Sequence, residues 1–258
     1  LGGIELGYTS DLDLVFVHQA DPQLATDGEK PIDNAVFYTR LGQRIVHILS
    51  TQTPSGQLYE VDMRLRPSGN SGLLVSTLQA FEKYQQEDAW TWEHQALARA
   101  RGVAGCDDTL KAFEDIRHQI LCRQRDKASL RQEVVDMREK MRSNLGTPAA
   151  RQNDVFHIKH DNGGIVDVEF MVQYLMLAWC PEHPELTQWS DNIRQLEELG
   201  RAGVLPVEDT ERLREVFITL RSTIHRRALQ NLNSQVEGGA FTEERDYIQS
   251  MWKKVMVE

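Results

Sequence analysis

The sequence predicts an α+β protein, in which a small mixed sheet with helices is followed by a mostly antiparallel helical bundle. Two short stretches that combine apolar and acidic residues, 11–17 and 58–67, are typical of strands. Between them, residues 31–51 repeat apolar side chains at the spacing of an amphipathic helix. From Thr77 almost to the end the pattern is helical.

The two parts predict two domains. Residues 147–154 are polar and contain a proline, which is typical of a hinge between structural units. We therefore expect one domain over residues 1–146 and a helical bundle domain over residues 147–258.

Composition narrows the class of protein. The chain has 258 residues, of which 40% are hydrophobic and 26% charged, as in an ordinary globular protein with a full core. It contains no run of eighteen apolar residues and no signal peptide, so we expect a cytoplasmic protein without a membrane partner. The net charge of -10 argues against nucleic-acid binding, because phosphate backbones favour clustered Lys and Arg.

The cysteines and the first residue carry two further expectations. Cys106, Cys122 and Cys180 are odd in number and lack metal-ligand spacing, which predicts free thiols and no zinc site. The chain starts with Leu1 inside a motif, so we expect a fragment of a longer protein.

The first acidic stretch predicts a cation site. Two glycines and a spacer precede Ser10-Asp11-x-Asp13, and the apolar run 14–17 then reads as a buried strand. Residues two apart in a strand point the same way, so Asp11 and Asp13 share a face roughly 6.5–7 Å apart. Such carboxylates suit Mg²⁺ bound together with substrate phosphates, which makes a phosphate-handling enzyme the first hypothesis. The alternative is a turn or helix cap made by Ser10 and Asp11.

The second acidic stretch alternates strictly between apolar and charged residues. The core-facing positions are Val61, Met63 and Leu65, and the opposite face carries Glu60, Asp62, Arg64 and Arg66. One interpretation is a solvated face of an antiparallel sheet. The other is that Asp62 completes a metal site while Arg64 and Arg66 bind phosphate oxygens.

Several helical features have both a structural and a functional interpretation. The apolar face of helix 31–51 is predicted to pack on a sheet, and it consists of Phe37, Leu41, Ile45, Ile48 and Leu49. Trp90 and Trp92 are expected to be core anchors. The alternative is a ligand platform, with Glu93, Arg99 and Arg101 as the residues that would support it.

Two charged groups in the second part also allow two interpretations. Asp167 and Glu169 suit the N-terminus of a long apolar helix as caps, and the alternative is that they bind a cation or a basic partner. The basic run 225–227 is expected to be a solvated helix face.

The order of these features resembles the nucleotidyltransferase superfamily typified by DNA polymerase beta. That superfamily has a glycine pair, two acids before a helix and a third acid on a neighbouring strand, which here match Asp11, Asp13 and Asp62. The spacer from Ile4 to Ser10 is short for the superfamily.

A closer resemblance is to the glutamine synthetase adenylyltransferase family, whose members have two such domains. One adds AMP to a tyrosine of glutamine synthetase, and the other removes it by phosphorolysis. Residues 1–14 and 61–69 resemble the catalytic motifs, and residues 66–69 and 89–97 resemble the C-terminal, adenylylating half. Residues 163–170 resemble the start of the accompanying helical domain, so the resemblance covers essentially the whole chain.

The resemblance implies transfer of AMP from ATP to a tyrosine hydroxyl, with release of pyrophosphate and two Mg²⁺ ions. It assigns the metal to Asp11, Asp13 and Asp62 and the nucleotide to Gly2, Gly3, Ser10, Arg64 and Arg66. Glutamine synthetase is then the protein substrate and a PII-type signalling protein a regulator. The alternatives are phosphorolytic removal of AMP or a non-catalytic module that binds a PII-type protein.

The same resemblance extends the expectation of a fragment. In the superfamily a strand precedes the glycine pair, and here that strand would lie before Leu1. An exposed sheet edge and a poorly supported glycine loop would follow, so we expect residues 1–258 alone to be poorly active.

Overall fold

The computed structural model describes residues 1–21 and 23–258. Residues 18–30 are polar and contain Asp-Pro and Asp-Gly pairs, which predicts an exposed loop. Pro22 of this loop lies outside the described residues. The rest of that loop is largely exposed, although His18 is buried and Ala25 forms an isolated bridge with Asp33.

The predicted α+β class is confirmed. Helices dominate the described residues, in which nine α-helices occur. They are α1 Asn34–Ser50, α2 Leu78–Glu87, α3 Thr91–Ala98, α4 Asp107–Leu121, α5 Lys127–Leu145, α6 Ile165–Trp179, α7 Asn192–Arg201, α8 Val207–Leu229 and α9 Thr242–Met256.

The strands are short and pair two by two. They are β1 Leu12–Asp13, β2 Phe16–His18, β3 Gln52–Thr53, β4 Gly56–Gln57, β5 Val61–Asp62, β6 Val75–Thr77, β7 Val155–His157 and β8 Gln235–Glu237. β1 pairs with β5 and β2 with β6, both in parallel, whereas β3–β4 and β7–β8 are antiparallel.

The two predicted strands are shorter than the sequence pattern indicates. The stretch 14–17 is not one buried strand, since the chain breaks between β1 and β2 and Val15 is exposed. The stretch 58–67 is a strand only at Val61–Asp62, because the backbone then turns, with Arg66 N donating to Met63 O at 3.2 Å. The alternation of apolar and charged residues beyond Asp62 therefore belongs to a turn and not to a longer strand.

Helix α1 forms where it was predicted, but the burial of its apolar face was predicted wrongly. Phe37 and Leu41 are exposed, and Ile48 is 61% exposed. The only buried residue of α1 is Gly42, where an added Cβ would lie 2.8 Å from the Val75 side chain. Strands of two or three residues are too small to cover the rest of the helix.

The hydrophobic core is centred on α6. Thirteen of its fifteen residues are buried, which explains a segment that is apolar all round. α6 packs against α3 and α5 from the predicted first domain and against α7, α8 and α9 from the second. The core is therefore continuous across the predicted boundary. No helix in the described residues has both the length and the apolar character that a membrane span requires.

The helical character predicted from Thr77 onward is confirmed by helices α2 to α9, but the burial of the two tryptophans was predicted wrongly. Leu130 and Val134 of α5 are buried in the core, as their spacing predicts. Trp90 is 69% exposed and Trp92 is also exposed, so their assignment as core anchors is wrong. α3 begins at Thr91 and directs Leu97 inward, which leaves both indoles on the outer side.

The loop that leads into α6 is fixed by a buried ion pair. Arg138 Nε donates to Asp167 Oδ1 at 2.6 Å, and Gly163 N donates to Asp167 Oδ2 at 2.7 Å. Arg138 also donates to His160 O at 2.9 Å. Both side chains of the pair are fully buried. Asp167 thus caps the helix from inside the protein, as its structural interpretation predicts.

Replacing one member of this pair should destabilise the fold. Asp167→Asn leaves the buried Arg138 guanidinium without its counter-charge, and we expect the free energy of unfolding to fall by about 3–5 kcal/mol. Urea unfolding followed by circular dichroism measures this change.

The matched control is Arg212→Ala, which breaks an ion pair with Glu215 whose members are both exposed. This variant should cost roughly 0–1 kcal/mol. Equal losses in the two variants would show that the buried pair has no special role.

Candidate functional site

Asp13 and Asp62 lie side by side on neighbouring parallel strands. The register of β1 and β5 pairs Leu12 with Val61 and Asp13 with Asp62. Leu12 is buried in the core. Side chains alternate along a strand, so Asp13 points to the opposite face from Leu12, and its registered partner Asp62 points to that same face. Strand pairing thus brings together two acids that are 49 positions apart in the sequence.

Mutual repulsion identifies the third member of the cluster. The pKa of Asp13 is raised, first by partial burial of its carboxyl group and then by the negative charges of Asp11 and Asp62. Carboxylates influence one another in this way only at short range. We refer to Asp11, Asp13 and Asp62 as the acidic cluster, in which strand register pairs Asp13 with Asp62 and Asp11 precedes Asp13 by two positions.

Arg64 is the counter-charge of this cluster. Its backbone N donates to Asp62 Oδ1 at 2.8 Å and its Nε to Asp62 Oδ2 at 2.6 Å. These contacts lower the pKa of Asp62, the side-chain hydrogen bond being the largest cause, and they raise the pKa of Arg64. The pKa of Asp62 is thus lowered by its direct contact with Arg64, whereas that of Asp13 is raised mainly by partial burial.

The three carboxylates have the chemistry of a divalent cation site. They supply hard oxygen ligands, and a cation would relieve the repulsion that raises the pKa of Asp13. As the described side chains stand, no group of three or more His, Cys, Asp or Glu is arranged to hold a metal ion. Both oxygens of Asp62 are directed to Arg64, so a cation would compete with this guanidinium.

The glycine pair lies in a tight turn and does not open a helix. A Cβ on Gly2 would lie 2.5 Å from Arg99 O, and a Cβ on Gly3 would lie 3.1 Å from Ser190 O. At Gly2 another backbone approaches too closely for a side chain, whereas at Gly3 the nearest group is the Arg99 side chain, 2.6 Å from an added Cβ. Residues 6–10 connect this turn to Asp11 of the acidic cluster.

Two predicted nucleotide-binding side chains make hydrogen bonds within their own loops. Ser10 Oγ accepts from Gly7 N at 3.2 Å. Arg66 Nη1 donates to Met63 O at 2.8 Å, and its Nε lies 3.4 Å from Gly72 O. Arg66 therefore holds the loop 63–72 closed, whereas Arg64 is exposed beside the carboxylates.

Comparison with known proteins agrees with this geometry. A family model described as glutamate-ammonia ligase adenylyltransferase matches residues 1–116, and a model described as GlnD PII-uridylyltransferase matches residues 135–238. The whole chain is 56% identical to a bifunctional glutamine synthetase adenylyltransferase/adenylyl-removing enzyme from Hahella chejuensis. Enzymes of the same name from Pseudomonas putida and Pseudomonas aeruginosa are 56% and 54% identical over 98% and 99% of the chain. The chain belongs to the glutamine synthetase adenylyltransferase family.

The resemblance that the motifs predicted is thereby confirmed. The chain spans 27% of the length of each of these three relatives. The acidic cluster lies in the region that is similar to the adenylyltransferase model. Helices α6 to α8 lie in the region that is similar to the uridylyltransferase model.

Sequence reasoning missed the residues that hold the glycine turn, which we define as residues 1–5. Glu5 forms an ion pair with Arg99, and its backbone oxygen accepts from Arg221. Asn192 Nδ2 donates to Glu5 Oε2 at 3.2 Å, and Ser190 Oγ donates to Gly2 O at 2.7 Å. Since Ser190, Asn192 and Arg221 lie more than 180 positions from the turn, no local pattern could have revealed these contacts.

Two further charged groups have partners in the structure. Glu169 lies 3.7 Å from Arg99, so it faces a basic residue of the chain itself. His225, expected to be solvated, packs edge-on against Tyr8 with ring centroids 5.5 Å apart. The C-terminal half of α8 therefore contacts the same N-terminal segment.

Titration of the carboxylates tests this electrostatic arrangement. Carboxyl-carbon NMR should find the pKa of Asp13 above, and that of Asp62 below, the ordinary value of about 3.9. Arg64→Gln should raise both values, because it removes the guanidinium that pairs with Asp62 and lies near Asp13, while the backbone hydrogen bond from residue 64 to Asp62 remains. Arg212→Gln, the same change on the exposed face of α8, should alter neither.

Added Mg²⁺ should shift the Asp13 titration to lower pH. Cation and proton compete for the carboxylate, so Mg²⁺ affinity should increase as pH rises through the raised pKa of Asp13. If neither added Mg²⁺ nor Arg64→Gln changed the pKa of Asp13, this arrangement of charges would be contradicted.

Proposed function

We propose that this chain forms a nucleotidyltransferase centre that transfers AMP from ATP to a tyrosine hydroxyl of glutamine synthetase, releases pyrophosphate and so controls nitrogen assimilation. The observation that carries the proposal is the register of Asp13 with Asp62, with Asp11 beside them. The enzyme names of the relatives support adenylylation as the reaction and glutamine synthetase as the substrate. In this proposal residues 1–146 form the catalytic domain and residues 147–258 the helical domain.

Asp11, Asp13 and Asp62 would hold Mg²⁺, with Asp11 and Asp13 on the nucleotide side and Asp62 nearer the attacking hydroxyl. A free phenol has a pKa of about 10 and is a weak nucleophile at neutral pH. When bound, Mg²⁺ would neutralise phosphate charge and favour the ionised phenol. Two ions are expected from the family resemblance, and the three carboxylates are the donors available for them.

The chain's own side chains would orient and neutralise the nucleotide. Arg64, exposed beside the acids, would leave Asp62 when a cation replaces it and would then face the charge that develops on the phosphates. Arg66 would contribute to nucleotide binding indirectly, by holding the loop 63–72 closed. Gly2, Gly3 and Ser10 would place backbone and hydroxyl donors at the polyphosphate end.

The reverse reaction uses the same groups. The relatives are named as bifunctional, and phosphate attack on adenylylated tyrosine would yield ADP at a similar acidic cluster. A PII-type protein is proposed as regulator, because residues 135–238 match a PII-uridylyltransferase model. A non-catalytic module that binds such a protein is the remaining alternative.

Removing the acids should abolish transfer without unfolding the chain. Asp11→Asn and Asp13→Asn should each lower AMP transfer by at least about 100-fold, while far-UV circular dichroism stays unchanged. Asp62→Asn should lower turnover more than ATP binding. Glu60→Gln, an exposed acid two positions from Asp62, is the matched control and should keep activity.

The assay uses radiolabelled ATP, Mg²⁺ and unmodified glutamine synthetase. Each variant is measured both as the 258-residue chain and in place of the matched segment of the Pseudomonas putida relative. Transfer retained in the Asp11→Asn/Asp13→Asn double variant would refute the proposal. ADP formed from adenylylated substrate and phosphate, without forward transfer, would establish the reverse reaction. Absence of Mg²⁺-dependent ATP binding in both formats would favour the regulatory module.

A further inference from the structure

The glycine turn is attached to the rest of the protein mainly by side chains. In the described residues, the backbone-to-backbone hydrogen bonds of residues 1–10 stay within that segment, from Ile4 N to Leu1 O and from Ser10 N to Gly7 O. The first backbone hydrogen bond to another segment is from Leu12 N to Glu60 O. Side chains must therefore determine where the turn lies.

Those side chains come from three separate regions. Arg99, at the end of α3, pairs with the Glu5 carboxylate. Ser190, just before α7, donates to Gly2 O, and Asn192, the first residue of α7, donates to Glu5. Arg221 of α8 donates to the backbone oxygen of Glu5. The turn is thus held largely by helices of the second part of the chain.

These contacts are partly buried, and Gly2 O also accepts from Arg101 Nε at 3.2 Å. Asn192 is fully buried and Ser190 nearly so. Burial raises the pKa of Glu5, while the charges of Arg99 and Arg221 act in the opposite direction. A buried carboxylate of this kind depends on the two guanidinium groups.

The fit leaves little space for adjustment of the turn. A Cβ on Gly3 would lie 2.6 Å from the Arg99 guanidinium, and one on Gly2 would lie 2.5 Å from Arg99 O. The same turn is connected to Asp11 and Asp13 by residues 6–10. A displacement of α7 or α8 would consequently move backbone groups at the edge of the acidic cluster.

We propose that Ser190, Asn192 and Arg221 are positioning residues that hold the glycine turn in place for the polyphosphate of the nucleotide. This inference rests on the proposed function, because it assigns the turn to the nucleotide end of the same site. The helical part of the chain then sets the affinity for ATP, and a ligand that moves α7 or α8 changes that affinity.

The decisive variant is Ser190→Ala, which removes one hydroxyl from the contact with Gly2 O. Hydrogen exchange of residues 2–7, measured by mass spectrometry, should accelerate, and the KM for ATP should rise by roughly 2- to 10-fold, as expected for one lost hydrogen bond. The kcat and the KM for glutamine synthetase should stay within about twofold, a split that general destabilisation would not produce. Ser190→Thr, which keeps the hydroxyl, should restore the KM for ATP.

The matched control is Thr219→Ala, which deletes an exposed hydroxyl of α8 that bonds only to Glu215 O of the same helix. It should change neither exchange nor KM. Arg221→Lys provides a second variant with the charge retained but the contact to Glu5 O altered, and it should also accelerate exchange at residues 2–7.

Unchanged exchange in both Ser190→Ala and Arg221→Lys would overturn the inference, as would faster exchange with an unchanged KM for ATP. If the wild-type sequence transfers no AMP either as the 258-residue chain or in place of the matched segment of the Pseudomonas putida relative, the proposed function fails, and equilibrium binding of a non-hydrolysable ATP analogue replaces the kinetic measurement. Weaker analogue binding in Ser190→Ala would then support the positioning role, and equal binding would refute it.

Discussion

Two backbone hydrogen bonds between β1 and β5 determine where the acidic side chains lie. Leu12 N donates to Glu60 O at 2.8 Å, and Leu14 N donates to Asp62 O at 2.9 Å. Because side chains alternate along a strand, a slip of one residue would turn Asp62 away from Asp13. Burial of Leu12 in the core opposes that slip. The acidic cluster thus depends on one short parallel pair and on one apolar side chain next to it.

The register also explains why the two paired acids differ electrostatically. Both carboxylates lie on one face, but Arg64 contacts Asp62 and lowers its pKa, whereas partial burial and then the charges of Asp11 and Asp62 raise the pKa of Asp13. The cluster therefore contains one acid paired with a guanidinium and one partly buried acid beside two like charges. In the proposed function, a cation would bind at Asp13 and replace Arg64 at Asp62, which would free this arginine for the nucleotide phosphates.

Features encoded locally were predicted from the sequence, and features that depend on distant packing were not. The seam of α5 and the apolar course of α6 follow from periodicity, and the order of the motifs predicted that Asp13 and Asp62 lie on neighbouring strands. Burial of α1 and of Trp90 was predicted wrongly, because periodicity shows that a face is apolar but not which element covers it. The contacts of Glu5 with α7 and α8 join residues about 190–220 positions apart, and one sequence contains no signal for such pairs.

The two ends of the candidate site are consequently positioned by different means. At the acidic end, the register of two strands places the carboxylates, and that register is fixed by backbone hydrogen bonds and the burial of Leu12. At the glycine end, the described backbone has no hydrogen bond to a strand, and side chains from α3, α7 and α8 determine its place. Because α6 packs against all three of these helices, they belong to one continuous core, and the distance between the two ends depends on that core. Under the proposed function, a change in the helical part would therefore alter nucleotide binding while the acidic cluster keeps its geometry.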